Sequence, residues 1–151
     1  YRSVKSNVDN GLYSTDIGKG SIIKEGNSLS IITYGMGVHW VIESITALPK
    51  DYHNKIEIID LKSLVPWDKE LVLNSIKKTN RAMIVHEATH TSGFGAEIAA
   101  TLSEDAFEYL DAPIYRLASL DTPTPFSPNI ETNVFWPKNQ INKKIKEIID
   151  Y

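Results

Sequence analysis

Cysteine is absent from these 151 residues, so the chain has neither a disulfide framework nor a thiolate nucleophile. No apolar run approaches the length that spans a bilayer, and no charged start followed by an apolar stretch marks a signal peptide. Positive charge is not in excess either. A net charge of −3 and a pI near 5.8 give no electrostatic reason to expect a nucleic-acid partner. Lys143, Lys144 and Lys146 are interspersed with isoleucines and read as the wet face of a helix. There is no Ser/His/Asp set, no paired-carboxylate motif, no convincing metal cluster, no internal repeat and no low-complexity tract. The chain opens on Tyr1-Arg2-Ser3 rather than Met, which leads us to expect a piece of a longer protein. The missing cysteine fits the cytoplasm of a bacterium or the matrix of an organelle.

What is present describes an ordinary globule of 42% hydrophobic and 23% charged residues, long enough for one good core. Residues 1–18 are polar and irregular and read as a linker or lead-in to a domain over 19–151. Residues 21–24, the turn Glu25-Gly26-Asn27-Ser28 and the run 29–34 read as two antiparallel strands joined by a tight reversal. Apolar residues at 38, 41, 42, 45 and 48 keep helical spacing up to Pro49. A buried strand follows at 56–59. Asp68 is placed to cap a helix over 69–78, entered through Pro66 and Trp67, with Leu71, Val72 and Ile76 inward. Residues 82–85 read as a parallel strand ending at His86, 95–109 as a helix, and 114–118 as the next strand. Ile141, Ile145, Ile148 and Ile149 mark a closing amphipathic helix. Strand and helix alternating three times predicts a mostly parallel sheet covered on both faces. Between the last strand and helix, 121–128 holds three prolines and excludes regular structure.

Two motifs invite chemical readings. His86-Glu87-Ala88-Thr89-His90 matches HExxH, but a zinc hydrolase needs both histidines on one helical face, and a strand ending at His86 denies that geometry. We expect His86 to be a hydrogen-bonded junction residue, with Glu87 bonded to loop backbone or to a partner. Tyr34-Gly35-Met36-Gly37-Val38-His39-Trp40 has two glycines after a strand, yet Trp40 stands where a phosphate-binding loop needs its third glycine. A tight turn beside neighbouring backbone is the reading we adopt there.

Four ordered blocks carry a family resemblance. They are Glu57-Ile58-Ile59-Asp60-Leu61-Lys62-Ser63-Leu64-Val65-Pro66-Trp67-Asp68, Lys78-Thr79-Asn80-Arg81, His86-Glu87-Ala88 with Gly93-Phe94-Gly95-Ala96-Glu97-Ile98, and Asp111-Ala112-Pro113-Ile114 with Asp121-Thr122-Pro123-Thr124-Pro125-Phe126. Together they resemble the C-terminal domain of the beta component of a thiamine-diphosphate-dependent 2-oxo acid dehydrogenase E1. Lys62 replaces a usual Arg and Asn80 a usual Gly. Val38-His39 and Pro66-Trp67-Asp68 look more like the branched-chain (2-oxoisovalerate) enzyme than the pyruvate enzyme. The resemblance implies a three-layer α/β/α fold with a five-stranded mixed sheet, its first strand antiparallel to the rest. It also implies that thiamine diphosphate and magnesium bind in parts of the E1 outside this chain, which alone would be inactive. The implied partners are the E1 alpha component, a second beta component and the E2 acyltransferase core. Alternatives are the same domain of a pyruvate dehydrogenase E1 beta component, a stand-alone binding or regulatory module on the same fold, or the zinc hydrolase.

We place contacts at Gly93, Phe94, Gly95 and Glu97, at Asp121, Pro123, Pro125 and Phe126, and on the final helix, with His86 and Glu87 as structural or interface residues. Glycines allow close approach, and an exposed phenylalanine stiffened by prolines is a rigid anchor. The competing expectation is that Phe126 folds back onto its own core.

Overall fold

Leu29 and Ile31 join one hydrophobic core while Ile32, the next residue along the strand, joins another, so a period of two builds a sheet buried on both faces. In the computed structural model, which describes residue 5 and residues 10–151, the strands are β1 (Ser21–Lys24), β2 (Leu29–Thr33), β3 (Ile56–Asp60), β4 (Ala82–Thr89) and β5 (Tyr115–Ser119). Their order in space is β1-β3-β2-β4-β5. β1 runs antiparallel to β3, and all other pairings are parallel. The helices are α1 (Met36–Thr46), α2 (Lys50–His53), α3 (Lys69–Thr79), α4 (Phe94–Asp105), α5 (Pro128–Ile130) and α6 (Ile141–Ile149). Trp40, Val41 and Ile45 of α1 and Ile141, Ile145 and Ile148 of α6 fill one core. Val72 and Ile76 of α3 and Ile98 and Leu102 of α4 fill the other. The result is the expected three-layer α/β/α fold.

Four expectations need correction. β1 and β2 run in opposite directions but do not pair, because β3 lies between them. Gly26 makes that crossing possible: a Cβ there would sit 2.1 Å from the Ile56 carbonyl carbon, so only glycine lets the connector pass the start of β3. β4 continues through Thr89 rather than ending at His86. α4 stops at Asp105, with a 3₁₀ turn at Phe107–Tyr109 beyond it. β5 starts one residue late, at Tyr115. Of the lead-in, residues 1–4 and 6–9 lie outside the described residues, and Leu12, Tyr13 and Ile17 are exposed.

Local chemistry explains the element ends. The Asp68 carboxylate accepts from Leu71 N and from Gly20 N, each at 3.2 Å, which caps α3 and ties the start of β1 to it. α3 ends at Asn80, whose φ of 61° is left-handed. That conformation is why glycine suits this position and why asparagine is a tolerated replacement. Its side chain also donates to the Tyr109 carbonyl at 2.8 Å. Gly37 packs where a Cβ would meet Thr33 Oγ1 at 2.3 Å and the Val85 carbonyl oxygen at 2.9 Å, the close approach expected of that turn. Trp40 is buried against Trp136, ring centres 5.2 Å apart.

At the amino end of the parallel strands lies a polar network inside the α3 layer. The fully buried Glu57 accepts from Ser75 Oγ at 2.5 Å and pairs with Lys78, which also reaches Glu25 at 2.9 Å. Ser30 Oγ bonds Ser75 Oγ and Thr79 Oγ1 at 2.5 and 2.6 Å. The Glu57 carboxylate holds the Lys78 ammonium above its ordinary pKa. These bonds pin α3 to β2 and β3.

Candidate contact surface at the carboxyl end of the sheet

Parallel strands deliver their following loops to one end of a sheet, and in open α/β folds that end carries the sites. Here three such loops meet. The loop after β3 and the start of α4 enclose a cleft of about 670 Å³ lined by Leu64, Val65, Pro66, Trp67, Phe94 and Glu97 among others. Val65 is 87% exposed in its wall. The loop after β4 is joined to the segment after β5 through Asp121, whose carboxylate accepts from Thr91 N at 2.7 Å and Thr91 Oγ1 at 2.6 Å. Those bonds hold the Asp121 carboxyl below its ordinary pKa. Asp121 is thereby the post that fixes 121–126 beside the entry to α4.

Phe126 stands fully exposed, at 104%, beside the half-buried Pro125, with Pro123 exposed as well. It does not fold back onto the core. Glu97 is exposed on the first turn of α4, Phe94 is half-buried against the second core, and Glu87 is exposed. The final helix is not part of this assembly of loops, since α6 packs on the opposite face of the sheet from α4.

His86 departs most from expectation. It is wholly buried, and among the described residues neither ring nitrogen has a hydrogen-bond partner, so it is not the bonded junction residue foreseen. Its ring stacks on Tyr34, centroids 5.7 Å apart and 9° from parallel. Burial first of all, then the charges of Arg116 and His90, hold its pKa below the ordinary value. The Ala88 backbone, near the ring but outside hydrogen-bond geometry, pulls the other way. Burial and the Glu87 carboxylate raise Tyr34. His90 is exposed beyond the strand, and no helix runs through the HExxH segment, which removes the geometry the zinc hydrolase requires.

That ring leaves room only for glycine at Gly95, and the Thr89 backbone together with the ring does the same at Gly93. A Cβ on Gly95 would lie 2.3 Å from His86 Nε2 and 2.5 Å from Cδ2, and one on Gly93 would lie 2.2 Å from the Thr89 carbonyl oxygen and 2.8 Å from His86 Cε1. Gly95→Ala should therefore destabilise the chain by about 2–3 kcal/mol, since the buried imidazole has nowhere to retreat. Urea unfolding measures this, and an unchanged midpoint would show that the ring has room.

The cleft is not legible in the sequence: Pro66 and Trp67 read as the entry to α3 and Leu64-Val65 only as part of a family block, and the short aperiodic apolar run between strand and cap is the one signal of it. The cleft offers apolar walls and a carboxylate, with no cationic side chain for a diphosphate. Among the described residues no group of three or more His, Cys, Asp or Glu is arranged to hold a metal. These residues do not fit thiamine diphosphate with its magnesium. Among the described residues no helix is long and apolar enough to cross a membrane.

Residues 18–141 match the family described as transketolase, C-terminal domain. The beta subunit of the pyruvate dehydrogenase E1 component from Staphylococcus aureus is 42% identical over all of this chain and 46% of its own length. The mitochondrial 2-oxoisovalerate dehydrogenase beta subunit of Chaetomium thermophilum is 39% identical over 83% of this chain and 27% of its own length. The chain thus spans less than half the length of these relatives. Among solved structures, a split-gene transketolase described as an inactive beta4 tetramer superposes with a TM-score of 0.77 at 21% identity, over 99% of this chain and 47% of its own, a likeness of fold. The chain belongs to the transketolase C-terminal domain family and is homologous to the beta subunits of 2-oxo acid dehydrogenase E1 components.

Proposed function

We propose that this chain is the assembly domain of the beta component of a pyruvate dehydrogenase E1, supporting oxidative decarboxylation and acyl transfer to lipoyl-E2 without supplying the reacting groups. The observation that carries the reading is the alignment of the whole chain with a pyruvate dehydrogenase beta subunit at 42% identity. The 2-oxoisovalerate relatives align at 39 and 41% over 83% of it. That comparison favours pyruvate over the branched-chain substrate suggested by Val38-His39 and Trp67. On this reading thiamine diphosphate and magnesium belong to other parts of the E1. The partners are E1 alpha, a second beta component and the E2 core, and the contacts include the carboxyl-end surface around Phe126 and the first turn of α4.

The test of substrate is a comparison of pyruvate and 2-oxoisovalerate with the complete E1. At matched concentrations, pyruvate should be decarboxylated at least about tenfold more efficiently in kcat/KM, a difference of ~1.4 kcal/mol in transition-state stabilisation. Equal or better use of 2-oxoisovalerate would overturn the pyruvate reading while leaving the assembly role standing.

A further inference from the structure

Buried polar side chains in folded proteins nearly always have partners, and an orphan needs a reason. His86 is such an orphan among the described residues, closed in between Tyr34 and the first turn of α4, with Gly93 and Gly95 shaped around its edge. We infer that His86 is an acid-sensitive latch beneath α4, holding the 93–97 turn closed while neutral and releasing it when the ring takes up a proton.

The surroundings decide the direction. From α4 the ring faces a helix N-terminus that carries no side-chain cap, and the partial positive charge there opposes a second positive charge beneath it. From the turn just past β2 it meets the face of Tyr34, held neutral by burial and by Glu87. From β5 and the end of β4 come Arg116 and His90, both of which disfavour a charged ring. Glu87 and Glu97, the nearest carboxylates along β4 and α4, are exposed and form no bond to the ring. A charged imidazole in this position gains nothing by staying. It gains water by lifting the turn.

The turn is also the element able to yield. Ser92, which leads into it, holds a left-handed φ of 61° without being glycine, so the hinge before α4 already stores backbone strain. Gly93 and Gly95 add two flexible positions directly above the ring. Deeper in α4, Ile98 and Leu102 are wholly buried and keep the rest of the helix in place. Release is therefore confined to the first turn.

The sign follows from linkage. With the ring's affinity for protons depressed in the closed state, the open state binds the additional proton. Closure is then fully stable above about pH 6.5 and weakens as pH falls below it, by at most about tenfold in the opening equilibrium per pH unit. The experiment is amide hydrogen exchange on the full chain from pH 8 to 5, corrected for intrinsic rates, comparing wild type with His86→Gln, His86→Phe and the control His90→Gln. Wild type and the His90 variant should lose protection at residues 94–98 by up to about tenfold per unit below pH 6.5. Both His86 variants should show no such loss. The same acid-induced loss in a folded His86 variant, or none in wild type, would overturn the latch. Should neither His86 variant fold, an NMR titration of the wild-type ring decides. Coincidence of ring protonation with the loss of protection supports the latch, and separation of the two refutes it.

Discussion

Replacing Phe126 with alanine should weaken association of the complete protein by about 30-fold or more, while changing this chain's own unfolding free energy by less than about 0.5 kcal/mol. The asymmetry follows from exposure. A side chain that is 104% exposed contributes no packing to its own fold, so truncation opens no cavity within it. The same side chain, held beside Pro125 on a segment pinned by Asp121, loses little freedom when a partner covers it. Aromatic residues with that preorganisation dominate interfaces. Sedimentation of the complete assembly gives the first quantity and urea unfolding of the chain gives the second. A loss of about 3–5 kcal/mol in the chain alone, the signature of a truncated core phenylalanine, with unchanged assembly would reject the contact assignment.

Lys78→Ala should destabilise the chain by about 3 kcal/mol, the low end for breaking a buried ion pair because the lysine is itself 42% exposed. What makes the change severe is the partner left behind. The Glu57 side chain is 0% exposed, and without Lys78 only Ser75 Oγ and the distant Gly26 N–H at 3.4 Å remain on its carboxylate among the described residues. Glu57→Gln in the same chain should restore more than half of the loss, since it removes the stranded charge and keeps the shape. A Lys78→Ala variant that unfolds at the wild-type urea concentration would show that solvent already reaches Glu57. Failure of the double variant to recover would place the effect in the lysine's own packing.

The pattern of strands and helices was legible because the sequence repeats it physically. Ile31 and Ile32 fall on opposite faces of β2, and Val72 and Ile76 fall one turn apart on α3 behind a capping Asp68. Strand order was not legible from turn chemistry. Glu25-Gly26-Asn27-Ser28 looks like a reversal between neighbours, and only the fit of Gly26 over Ile56 reveals that β3 comes between them. The end of β4 was misplaced for a related reason: the apolar run stops at Val85, yet backbone pairing with β5 resumes at Thr89 opposite Ser119. At the candidate surface, Phe126 and its prolines announced themselves by composition. The buried state of His86 did not, because a histidine next to a glutamate reads as polar, and its burial depends on Tyr34 and on glycines brought over it by the fold. The partners of Ser30 and Glu57 were likewise not legible inside apolar strands, because α3 brings Ser75, Lys78 and Thr79 to meet them only in the fold.

The most direct test of the central claim, that this domain assembles an E1 rather than carrying its chemistry, is a decarboxylation assay run in parallel on the 151-residue chain and on the complete E1. Both receive thiamine diphosphate, magnesium and pyruvate. The complete E1 should turn over and the chain alone should release no carbon dioxide above the protein-free control, whereas sustained turnover by the chain alone would contradict the claim.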